Sequence, residues 1–132
     1  MSRFAAARRT KLPAGCGVAF VAGLAICAGC AGAPIRVVQG GDARRGPAAI
    51  VRYGCGSCHV IPGVGSAAGM VGPPLTAFSR RAYIAGELPN TADNLVTWIT
   101  VPQAIEPGTA MPNLGVDDRS ARDIAAYLYA PR

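Results

Sequence analysis

Cys55-Gly56-Ser57-Cys58-His59 is the stretch on which the reading of this chain turns, and it contains the chain's one histidine. Two thiols separated by two residues and followed at once by an imidazole form the attachment signature for a c-type haem. The thiols lie close enough on one turn of backbone to add across the two vinyl groups of the porphyrin. The next residue sets a nitrogen on the iron. A CxxC redox pair and half of a zinc site are the competing readings. Zinc asks for a second Cys or His pair, and the chain has no other His and no Cys after Cys58. A thioredoxin-like dithiol asks for a βαβ pattern around it, which the flanking sequence lacks.

The 132 residues suffice for one domain. Arg3, Arg8, Arg9 and Lys11 precede a stretch from Leu12 to Ile35 that carries no charge, and the two together read as an export signal. Arg8-Arg9 suggests a twin-arginine signal, but its surroundings fit poorly and the general secretory route is expected. Those four basic residues account for four units of the net charge of +6, leaving about +2 on the rest. Binding to nucleic acid is not expected, because no basic patch with interleaved aromatics occurs.

Of five cysteines, Cys16, Cys27 and Cys30 lie in the leading segment. Ala28-Gly29-Cys30-Ala31 resembles a bacterial lipoprotein box, with Cys27 where Leu is usual. Lipidation at Cys30 is the expected outcome, with an uncleaved membrane anchor or simple cleavage to a soluble protein as alternatives. Each would put the domain on the outer side of the cytoplasmic membrane. The expected organisation is an export signal over 1–30, a tether over 31–40 and a one-haem domain over 41–132.

A domain this small buries little apolar surface, and a covalently held haem would complete its core. Asp42 is a candidate cap for a first helix running to Tyr53, ended by Gly54, with Gly46, Ile50 and Tyr53 on one face. Thr91 caps a second to about Thr100, with Leu95, Trp98 and Ile99 inward, stopped before Pro102. Asp117 or Asp118 caps a third, whose Ala121, Ile124, Ala125 and Leu128 recur at i, i+3, i+4 and i+7. Ile61 to Pro74 and Pro102 to Gly115 read as Gly- and Pro-rich loops, and almost no sheet is expected.

A haem with a proximal His needs its sixth position settled, since an open site binds gases or peroxide and a closed one passes electrons. Apart from Met1, the methionines are Met70 and Met111. Met111 is the expected ligand, in the stiff Pro107-Gly108-Thr109-Ala110-Met111-Pro112, far enough along the chain to reach the opposite haem face. Met70, eleven positions from His59 in a glycine-rich stretch, is the weaker candidate, and a gap-filling thioether is the bland reading of either.

The haem motif, Gly72-Pro73-Pro74-Leu75, Trp98 four residues before Pro102, and the Met111 loop occur in the order found in class I cytochromes c. Ala125-Ala126-Tyr127-Leu128 resembles the last helix of bacterial members. The resemblance covers about Gly41 to Tyr129. It implies an all-α fold, three main helices and Gly/Pro-rich loops around one covalent haem c. By the same resemblance Cys55 and Cys58 are the thioether attachments, and His59 and Met111 the iron ligands. The Pro73 carbonyl would accept the His59 Nδ1 proton, Leu75 would pack on the haem, and Trp98 would stand near the Met side. Thr109 would bond a propionate, and Arg80 or Arg81, with Arg80 preferred, would pair with one. Gly46 and Tyr53 with Tyr127 look like the close helix crossing of this fold.

His/Met ligation of a buried haem implies a relatively high-potential one-electron carrier rather than an enzyme. The expected function is electron carriage between a quinol-oxidising complex or dehydrogenase and a terminal oxidase, with no small-molecule substrate. The alternatives are an electron-transfer subunit of a periplasmic dehydrogenase or oxidase complex, or a haem sensor or peroxidase-type protein should the Met ligand be absent. A low net charge favours partly apolar docking with redox partners.

Overall fold

The computed structural model describes residues 36–131, so the expected export signal and Cys30 lie outside the described residues. Helix α1 spans Gly46–Arg52, α2 Ala92–Thr100, α3 Pro102–Ile105 and α4 Asp118–Tyr129, with single 3-10 turns at Cys55–Ser57 and Phe78–Arg80. Between the second turn and α2 lies a hairpin of two short strands, β1 Tyr83–Ile84 and β2 Leu88–Pro89.

Asp117 starts α4, its Oδ1 accepting the Ser120 N–H at 2.9 Å. Ala121, Ile124, Ala125 and Leu128 form the buried stripe that the spacing predicts, and Tyr127 and Tyr129 are buried as well. Helix α2 begins at Thr91, whose Oγ1 accepts the Asn94 N–H, and buries Leu95, Val96, Trp98 and Ile99.

Helix α1 begins three residues later than expected. Asp42 does not cap it: its carboxylate accepts the Arg44 N–H at 2.9 Å and an Arg45 guanidinium N–H at 3.1 Å, holding 43–45 in turns. Arg45 is the N-cap, and its side chain does not cap the helix. Pro47 then falls in the first turn, where a missing N–H leaves no hydrogen bond unmade. The Arg45 fork also holds Asp123 of α4 through bonds of 2.7 and 2.8 Å, while the Asp42 N–H donates to the same carboxylate at 2.7 Å. That explains how Asp123 is buried to 4 % exposure. The Arg45 guanidinium and these hydrogen bonds hold its carboxyl below the usual range.

Gly46 lets α1 cross α4 closely. A Cβ there would strike the Tyr127 Cβ and stand 2.9 Å from the Asp123 carbonyl oxygen. Glycine costs a helix about 1 kcal/mol, whereas overpacking against backbone costs about 3 kcal/mol; the smaller penalty decides the residue. At the far end of α1, Gly54 turns left-handed (φ 69°) and delivers the chain to the cysteine loop. The Tyr53 hydroxyl donates to Asp117 Oδ2 at 2.8 Å, tying that end to the cap of α4.

Helix α3 departs from the loop expected over Pro102 to Gly115, while the short hairpin agrees with the expectation of almost no sheet. Pro102 ends α2 and also opens α3, because its fixed φ suits the first helical position. The hairpin turns at Ala85 (φ 54°) and Gly86 (φ 86°), with Glu87 N–H donating to the Ile84 carbonyl at 3.0 Å. Two positive φ values in a row are the pattern of a type I′ turn.

The cap of α4 has a pH signature. Bonds from Ser120 and Tyr53 bring the Asp117 carboxyl from 3.8 down to about 2. A lowered folded value means that the carboxylate stabilises the fold fully above the unfolded value and loses this contribution as pH falls through about 2. Asp117→Ala is therefore expected to lower the thermal midpoint at neutral pH. Its deficit against the parent should narrow as pH drops from 3.8 toward 2, as followed by circular dichroism.

Candidate functional site

After Gly54 the chain makes one 3-10 turn, and both Cys58 and His59 N–H donate to the Cys55 carbonyl, at 3.3 and 3.1 Å. The turn fixes the two cysteines and the imidazole on one short arc. Burial pushes the Cys55 thiol up, so its neutral form is favoured until it is chemically attached. A second loop is stitched to the first: Gly69 N–H donates to the Gly56 carbonyl, Gly72 N–H to that of Cys58, and Leu75 N–H to that of Val60.

This stitching places Gly72 against the His59 ring, where an added Cβ would strike Cε1 and lie 2.6 Å from Nδ1. His59 Nδ1 is 2.8 Å from the Pro73 carbonyl oxygen. A carbonyl only accepts, so Nδ1 carries the proton and Nε2 keeps its lone pair for a metal.

His59 lines a cavity of about 390 Å³, a size suited to a cofactor. All three longer helices contribute apolar walls, among them Ile50 of α1, Leu95, Trp98 and Ile99 of α2, and Ile124 and Leu128 of α4. Cys55, Cys58, Pro73, Leu75, Thr109 and Met111 line the same space. Thus 55–59, 72–75 and 109–112, separate in sequence, meet at one cavity. Met70 does not line it and is 90 % exposed.

Arg80 is placed elsewhere, on a second cavity beside Ser79 and Tyr129, and it is Arg81 that lines the first. Arg81 donates to the Pro74 carbonyl and lies over the Phe78 ring at 5.1 Å. Its guanidinium is thus held beside the Pro73-Pro74 segment that engages His59.

The Met111 loop is braced by side chains. Thr109 Oγ1 accepts the Met111 N–H at 3.2 Å, and Gln103 Nε2 of α3 donates to the Met111 carbonyl at 2.9 Å. Glu106 closes the turn, its side chain accepting the Gly108 N–H and its carbonyl the Thr109 N–H, both at 3.0 Å. Sequence reasoning passed over Gln103, whose contact crosses eight residues and belongs to no motif. Asn90 was missed too. It is buried, donates to the Phe78 and Arg81 carbonyls, and accepts from the Tyr129 hydroxyl. It pins the turn that carries Arg81 onto α4.

The donor set fits a haem: two thiols on one turn, an imidazole with a free Nε2, and a thioether from a separate loop, all around an apolar space. A bare metal ion finds no equivalent, since no three His, Cys, Asp or Glu side chains converge to hold one among the described residues. Fold and site together define a covalent haem-binding domain. The family model for cytochrome c matches residues 43–130, and the chain belongs to the cytochrome c family. Its cofactor is therefore haem c, covalently bound through cysteine with iron at its centre.

The chain is also similar to a cytochrome c oxidase subunit 2 from Alkalihalophilus pseudofirmus (strain ATCC BAA-2126 / JCM 17055 / OF4), 40% identical over 74 residues, which is 56% of this chain. It spans 20% of that relative's length. No solved structure matches the chain significantly. Among the described residues no helix is long and apolar enough to cross a membrane.

Proposed function

We propose that this cytochrome c carries single electrons at the outer face of the cytoplasmic membrane, from a quinol-oxidising complex or dehydrogenase to a terminal oxidase. The observation that carries this reading is the meeting of the His59 and Met111 loops at one apolar cavity. Bound haem c supplies a one-electron couple whose ligands stay the same in both oxidation states. Cys55 and Cys58 would hold it through thioether bonds, and His59 and Met111 would ligate its iron. The Pro73 carbonyl orients His59 and raises its basicity. The Thr109 hydroxyl, accepting from Met111 N–H, still has its own proton to give a propionate, and Arg81, rather than Arg80, supplies the cation. Leu75, Trp98 and the helix walls exclude water, favouring the less charged ferrous state.

Partner contact falls on the rim of the cavity. No lysine, arginine, aspartate or glutamate occurs from Cys55 to Ser79 or from Pro107 to Val116, and Val71 on the rim is 77 % exposed. Such a surface suits small, transient, largely apolar contacts. Lipidation at Cys30 would tether the domain and raise its encounter frequency with membrane partners.

A second reading, a haem domain resident in an oxidase complex, is favoured by the similarity to an oxidase subunit 2. One experiment addresses both. Reduced, haem-loaded protein is mixed with membranes bearing a terminal oxidase. The proposal expects repeated, cyanide-sensitive reoxidation by protein that afterwards elutes free of the oxidase. Co-elution with the oxidase supports the resident-domain reading instead, and no reoxidation contradicts both.

A further inference from the structure

We propose that Gln103 is a positioning residue for the axial thioether: from α3 it fixes the backbone of Met111 and so keeps the sulfur on the iron. The inference rests on Met111 being the sixth ligand. Met111 lies in no helix or strand, and side chains hold both its peptide groups. Thr109 takes its N–H and Gln103 gives to its carbonyl. The two bonds differ in what they anchor to. Thr109 belongs to the same loop, two residues away, and moves with it. Gln103 belongs to α3, whose first residue, Pro102, is fully buried and which abuts α2, the helix that walls the cavity. Of these two bonds, the Gln103 one ties the Met111 backbone directly to α3.

The direction of the bond is fixed, because the Met111 carbonyl can only accept and Gln103 must present its NH₂. The side chain is itself exposed, so its role is not to fill the core. Removing it leaves the fold intact and frees the loop to swing out. The Met-off form, which an outside ligand can occupy, then gains population by the worth of one hydrogen bond, about fivefold.

The test uses haem-loaded protein in parent, Gln103→Ala and Gln103→Glu forms. Glutamate keeps the shape, but its carboxylate has no proton to give, so it separates loss of the donor from loss of packing. Carbon monoxide binding to the reduced proteins is measured beside the near-infrared band of Met-ligated ferric haem and the far-ultraviolet circular dichroism. Both variants are expected to bind carbon monoxide about fivefold more tightly than the parent, with a weaker near-infrared band and unchanged dichroism. Parent-like values in both variants, with the band present in the parent, overturn the role of Gln103 alone. A parent without the band removes the Met111 ligation and this inference with it.

Discussion

Gly72→Ala is expected to cost the protein its ordered haem site while leaving its helices in place. The added Cβ would strike the His59 ring at Cε1 and lie 2.6 Å from Nδ1, well inside van der Waals contact. Neither partner can yield cheaply. The ring is held from one side by the Pro73 carbonyl at 2.8 Å, and Gly72 is held by its own N–H bond to the Cys58 carbonyl at 2.8 Å. Swinging the imidazole away breaks the bond that fixes its tautomer and turns Nε2 off the iron. Moving the backbone unstitches the loop from the cysteine turn. Thioether attachment requires only Cys55 and Cys58, so some haem should still be linked. Protein produced with haem-attachment machinery should show at least about a tenfold loss of low-spin haem per polypeptide, on the scale typical when the contacts that orient a metal ligand are disturbed. Far-ultraviolet dichroism should remain helical. A parent-like spectrum in the variant would mean that His59 has another route to the iron than the one its present contacts define.

The parts of this architecture legible in the sequence are those encoded locally. Cys55, Cys58 and His59 sit within five residues, and α4 repeats its apolar positions at helical spacing behind a good N-cap. Helix α2 is bounded by Thr91 and Pro102, two unambiguous signals. A residue with two uses is ambiguous in sequence. Asp42 looks like a helix cap, but its oxygens are taken by Arg44 and Arg45, and the helix waits for Gly46. Pro102 is a stop signal for α2 and also the start of α3. The hairpin was hidden because Ala85 adopts a positive φ that a sequence reader assigns to Asn or Gly.

At the site, the residues that touch the cavity were legible because each has a chemical reason to be there. The residues that hold those residues were not. Gln103 reaches Met111 across eight positions, and Asn90 and Tyr129 meet across thirty-nine; no periodicity or motif announces such pairs. Arg80 and Arg81 are neighbours of the same type, and only the course of the backbone after the Phe78–Arg80 turn decides that Arg81 lines the cavity.

Met111→Ala is expected to open the sixth coordination position outright. Met111 is the methionine that lines the cavity, and Met70, almost fully exposed, does not. No second histidine exists in the chain to replace it. An alanine at 111 leaves room on that haem face for water or gas, favours the ferric state relative to the parent and so lowers the potential. The decisive measurement is the optical spectrum of matured protein, oxidised and reduced, in parent and Met111→Ala forms, with carbon monoxide added to the reduced samples. His59/Met111 ligation predicts a near-infrared band in the parent that vanishes in the variant, together with carbon monoxide binding that is strong only in the variant. A parent without that band that binds carbon monoxide readily would contradict the account, and the domain would then be a sensor or an enzyme rather than an electron carrier.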